Sequence, residues 1–285
     1  MSEAYLAAPE RKAAVLARLE EALAAGRVLF DTGIWNAPKG SPAAVVAQDA
    51  DLRSFEAFTG FPAAIGGLVD LVALYLSNAP EQRDTFLMRF FSAVRPGAAL
   101  DRAAAQILVA MHDDPAMTAA AGDDAEAAAL LARSRAAHGD AAAGQDVPRA
   151  VWSALRGDAM QLAEQRTGPV MGALDFIERT AWPLARSRSV LSEGLGIVIG
   201  LVASLAVRQS GWTAADQRKV DDTLHAIEAE AMARGEAQPN YPAILSAREP
   251  ALEARFREQI ELQSRCYAAT TQVWADRLVA LMEHF

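Results

Sequence analysis

Cysteine is almost missing: Cys266 is the single one in 285 residues. No internal disulfide can form, and a reducing compartment is expected. Runs of β-branched residues are few while alanine abounds, which argues against a β-rich fold and favours helix almost everywhere. Positive charge is in deficit, with 27 Lys and Arg against 36 Asp and Glu and a net charge of −9. A broad nucleic-acid footprint, which needs clustered basic side chains, is therefore not expected. The first residues, MSEAYLAAPERKAAV, carry Glu3, Glu10, Arg11 and Lys12 and no apolar core of a secretory signal, so the protein reads as cytoplasmic. Long uncharged runs are also scarce. Gly194 to Val207 is free of charge for 14 residues, roughly 21 Å of helix against a hydrocarbon core of roughly 30 Å. In the other apolar stretch, Asp70 interrupts. Buried core helices are predicted, with no membrane span.

Motifs that announce chemistry are missing too. There is no Gly-rich loop closed by Lys-Ser/Thr, no G-x-G-x-x-G after a strand, no G-x-S-x-G, no Cys/His zinc spacing and no Glu-x-x-His pair. No cofactor is expected and no catalysis can be assigned.

What is present is an all-α pattern: a multi-helix bundle of about ten helices ending in a long amphipathic helix. Pro9 and Pro80 sit where a first helical turn accepts proline, Gly26 stands where a helix stops, and Thr213 with Asp216 forms a capping-box pattern. Residues 27–48, with Gly33, Pro38, Gly40 and Pro42, read as a loop. At the C-terminus, Leu252, Phe256, Ile260, Gln263, Tyr267, Thr270, Trp274, Leu278, Leu281 and Phe285 step by three or four. One helix from Glu249 to the end would be roughly 55 Å long. Its stripe should span the bundle or pair with a second copy, so self-association through 249–285 is expected. HGDAAAGQD supplies the best linker, dividing an N-terminal helical half (1–138) from a C-terminal half (147–285) across 139–146, unless the domain is continuous.

Two apolar helices carry stripes of small residues: Gly66, Asp70, Ala73 and Ser77 on one, Gly196, Gly200, Ala203 and Ser204 on the other. Small side chains let backbones approach, so these helices are predicted to lie side by side, with Asp70 as a buried polar group. A buried Asp needs a partner or a function.

Four stretches suggest chemistry. VLFDTGIWNA at 28–37 resembles the catalytic loop of aspartic proteases through Asp31-Thr32-Gly33. That chemistry needs two carboxylates sharing a proton on strand-flanked loops. One triplet in a helical chain supplies neither, so it reads as a turn. On VDDTLHAIEAE, Asp221, Asp222, His225 and Glu228 fall on one helix face and could hold a divalent metal, or form a solvated acidic face. MHDDPAM at 111–117 resembles the acidic metal–diphosphate motifs of helical isoprenoid synthases, but Pro115 after Asp113-Asp114 marks a helix end and a turn. Arg179, Arg186 and Arg188 cluster before a helix start and could bind an anion.

Two functional readings follow. One is a non-catalytic helical protein acting through protein contacts: a scaffold, a regulator or an immunity-type binder. The other is a helical enzyme or carrier whose central apolar cavity takes a hydrophobic or diphosphate-type ligand.

Overall fold

The computed structural model describes residues 3–184, 187–235 and 238–285. The chain is all-α, 74% helical, with fourteen α-helices among the described residues, more than the ten expected. It divides into two compact units, Met1–Leu201 with Ala268–Phe285, and Val202–Tyr267. The 139–146 stretch lies inside the first unit, and helix continues through Ala142.

In the first unit, proline opens α1 (Pro9–Ala24), α2 (Pro42–Ala47) and α5 (Pro80–Ala93) at positions where its missing N–H costs nothing. α3 (Leu52–Thr59) starts at an Asp51 cap that accepts from the Arg53 N–H. Gly60 follows at φ 72, where a Cβ would lie 2.0 Å from the Glu3 carbonyl oxygen, so only glycine allows the N-terminal segment to approach. That segment is buried through Tyr5, whose ring meets Phe61 edge-on at 5.1 Å and whose hydroxyl donates to the Phe91 carbonyl. Phe55, Phe61, Phe90 and Phe91 complete an aromatic core.

α4 (Ala63–Tyr75) is buried nearly all round, as its uniform apolarity requires. The beginning of α11 (Val190–Gln209) lies beside it. A Cβ on Gly67 would be 3.8 Å from Ser192 Oγ, and one on Gly196 would be 3.6 Å from Tyr75 Oη. The two helices are neighbours here, but the predicted α4 stripe faces elsewhere: Gly66 lies against Phe55 and Leu52 of α3, and Asp70 against Ser41 and Ala43 at the start of α2. Among the described residues α11 is the one helix long and apolar enough by itself to cross a membrane, and half of its most apolar stretch is buried. α3 and α4 reach that length only as a pair bent by 111°.

The remaining helices of this unit build a second layer: α6 (Asp101–His112), α7 (Pro115–Ala121), α8 (Ala125–Ala142), α9 (Arg149–Ala163) and α10 (Pro169–Thr180). α6 packs along α8, and α9 along α10. The predicted C-terminal helix is α14 (Pro250–Met282). Within the first unit its Trp274, Leu278 and Met282 are fully buried, and the Trp274 indole donates to Asp114 Oδ2 at 3.2 Å.

The second unit contains α12 (Ala214–Ala233), α13 (Tyr241–Arg248) and the start of α14. The Thr213–Asp216 capping box forms as read from the sequence. Arg255 grips Asp216 through two bonds of 2.8 Å, and Arg248 pairs with Glu230.

Candidate functional site

Asp70 sits on α4 and is 1% exposed. Its carboxylate accepts the Ser41 hydroxyl at 2.7 Å, the Ala43 N–H at 2.8 Å and the Gly33 N–H at 3.1 Å. One side chain thus fastens the start of α2 and the Asp31-Thr32-Gly33 bend to the core. Burial pushes its pKa up to about 6, against the opposing pull of those three donors. The segment read as a loop, 27–48, in fact holds α2 and a two-stranded hairpin pairing Trp35–Asn36 with Lys39–Gly40. Two prolines and two glycines hid these short elements. Asp31 itself is exposed and accepts its neighbour Thr32 N–H at 2.8 Å, which is turn geometry.

Beside Asp70 lies an open cleft of about 450 Å³, bordered by Thr32, Gly33, Tyr75, Arg188, Ser192 and Glu193. Arg188 reaches Asp51 at 3.0 Å, and Arg179 pairs with Asp175 at 3.3 Å and Glu193 at 3.9 Å. The two described arginines of the anion candidate are thus already engaged by carboxylates. Arg186 lies outside the described residues.

On α12, Asp221, Asp222, His225 and Glu228 are all exposed, and Asp221 accepts the Gln217 side-chain amide at 2.9 Å. Among the described residues no group of three or more His, Cys, Asp and Glu side chains is placed to hold a metal ion. The Asp113-Asp114 pair is spent on structure. Arg135 holds Asp113 with bonds of 2.5 and 2.8 Å, and Asp114 caps α7 by accepting the Ala116 N–H.

The pair's neighbour, His112, leads to a feature the sequence reading missed. α6 ends on His112, and α8, packed against it, brings His138 alongside, with ring centroids 5.4 Å apart. Phe176 from α10 stands edge-on to His112 at 4.8 Å, and Trp152 from α9 lies 4.7 Å from His138. Four helices therefore converge on two imidazoles. His112 Nε2 meets Ser134 Oγ at 3.2 Å, one turn before His138 on α8. His112 Nδ1 and the ring nitrogens of His138 make no hydrogen bond of good geometry, although the Thr180 backbone lies close enough to act on the His138 ring. Burial drives both rings toward the neutral form, His112 down to about 4 and His138 to about 3. For His138 the neighbouring His112 adds to that push and the Thr180 backbone offsets a little of it.

His138 and Trp152 border a cavity of about 650 Å³. Its inner wall is made by Ala63, Ala64 and Ala104, all buried, with Ala141 beside them. Its charged members, Arg53, Glu56, Asp101, Asp146 and Arg188, are exposed or half-exposed and so form the rim. The volume falls in the range of small-molecule sites. A neutral imidazole offers one donor and one acceptor.

Neither a protein-family model, nor a curated protein, nor a solved structure matches the chain.

Proposed function

We propose that this protein binds a small molecule in the cavity at His138, as a helical carrier or sensor without catalysis of its own. The observation that carries this reading is a cavity of about 650 Å³ whose inner wall is small and buried, at Ala63, Ala64 and Ala104, with the buried pair His138 and Trp152 along its border. The single cysteine is compatible with a reducing, cytoplasmic setting for such a protein.

Ala141→Phe tests the proposal by filling the cavity from its half-buried wall. Small aromatic and aliphatic compounds screened by thermal shift should include some that raise the melting temperature of the native chain. The same compounds should leave the Ala141→Phe variant unmoved. A shift that survives the substitution would place the site elsewhere.

A second reading, action through protein contacts, is supported by a different observation. The second unit has an apolar groove of about 550 Å³, lined by Leu224, Tyr241, Leu245, Phe256 and Ile260. Ile260 is 44% exposed. Because Trp274, Leu278 and Met282 are already buried, self-association through 249–285 would have to use the earlier part of that stretch. If the native chain sediments as a dimer through this groove, Ile260→Glu should convert it to a monomer, since a buried unpaired carboxylate is strongly disfavoured at an interface.

A further inference from the structure

We propose that the groove of the second unit is a binding site for a small amphipathic cation, an apolar body bearing one ammonium group whose head pairs with Glu253. This site goes beyond the cavity at His138 and does not rest on it. Its volume of about 550 Å³ suits a small molecule. Three helices frame it within one unit: α12 through Leu224, α13 through Tyr241 and Leu245, and α14 through Phe256 and Ile260.

Glu253 decides the charge of the ligand. It is a buried carboxylate that lines the apolar groove, and such a group needs a positive partner. Without a ligand that partner is Arg257, one turn further along α14, whose Nη2 lies 2.6 Å from each carboxylate oxygen. The two members of the pair differ in setting: the Glu253 side chain is 11% exposed and the Arg257 side chain 63%. Arg257 can move its head into water, where a cation is well solvated, whereas Glu253 stays buried. A ligand ammonium then takes over the carboxylate's bonds, and charge-assisted bonds of this kind are strong. Glu228, on the exposed edge, adds a second negative charge. An anion would meet both carboxylates with Arg257 already spent on one of them. An uncharged ligand would gain from the apolar wall alone. Tyr241 and Phe256 place two aromatic rings along the same groove, and ring faces also favour a cation.

Three probes of similar shape separate the possibilities: phenethylamine, phenethyl alcohol and hydrocinnamate, measured by calorimetry on the full chain. The amine is expected to bind tightest, and added salt should weaken it while leaving the alcohol unchanged. Glu253→Gln should weaken the amine at least about tenfold, to the level of the alcohol, and leave the alcohol as it was. Arg257→Met keeps the apolar stem and removes the competing cation, so it should tighten the amine by about threefold. A pair with a merely structural role would give no such gain, and this variant keeps the proposal testable if Glu253→Gln fails to fold. Alcohol or hydrocinnamate binding as tightly as the amine would overturn the ligand class. An amine indifferent to both substitutions would overturn the site. Binding of none of the three would overturn it as well, and a chain that then sediments as a dimer would give the groove to a second copy. None of these outcomes touches the cavity reading, which Ala141→Phe tests separately.

Discussion

His138→Leu is expected to raise the melting temperature of the ligand-free protein. The native imidazole is fully buried, and its nitrogens make no hydrogen bond of good geometry. Leucine has a similar volume and no polar atoms to desolvate. The gain should be about 1–3 kcal/mol, which for a chain of this size is a few degrees in a calorimetric scan. The pH dependence sharpens the test. The folded-state pKa of His138, about 3, lies below the ordinary 6.5. Between those values the unfolded chain binds a proton that the folded one refuses, so stability falls as pH drops through that window. His138→Leu should flatten this acid limb. A lower melting temperature at neutral pH would mean that the ring is well satisfied without a ligand.

Asp70 should respond in the opposite sense. Its folded pKa of about 6 lies above the ordinary 3.8. Between these values the folded state keeps a proton that the unfolded state releases, so stability falls as pH rises through the window. The full effect is about 3 kcal/mol. Asp70→Asn imitates the neutral acid and does not titrate. Its stability relative to the native chain should therefore improve by about 2 kcal/mol between pH 4 and pH 7 in urea unfolding. Asp70→Ala is a different change: it strands the Ser41 hydroxyl and the Gly33 and Ala43 N–H groups. It should cost about 3 kcal/mol or more at either pH. Parallel pH profiles for the native chain and the Asn variant would show that Asp70 is charged and fully compensated throughout.

Local signals in the sequence were enough to place most helices. Pro9 and Pro80 open α1 and α5, the Thr213–Asp216 box starts α12, and the stripe from Leu252 onward is α14. Each depends on neighbours a few residues apart. The burial of Asp70 was also legible, because it interrupts an apolar run, but its partners at 33, 41 and 43 were not, since nothing local links them. The histidine pair was least visible of all. His138 stands 26 positions after His112 and opens the Gly- and Ala-rich stretch that reads as a linker. Helix continues there through Ala142, because alanine sustains a helix wherever packing rewards it. The available signal was Ser134 and His138 at one-turn spacing on a face with Leu130, Leu131 and Ala137, which together would have argued for a buried polar stripe. The exposed acidic face of α12 drew attention instead, because carboxylates near a histidine look alike in sequence whether they face solvent or a metal.

Nitrogen NMR of the histidine rings, recorded from pH 7 to pH 4 and then with a compound from the thermal-shift screen that binds the cavity, tests the central claim most directly. The chain has four histidines, so the spectrum is small and His138→Leu assigns the decisive signal. The account predicts that without ligand His138 remains neutral down to pH 4, and that the compound shifts the His138 signals more than those of His225 and His284. A His138 signal that titrates near pH 6.5, or one that the compound leaves in place while the exposed histidines move, would contradict it.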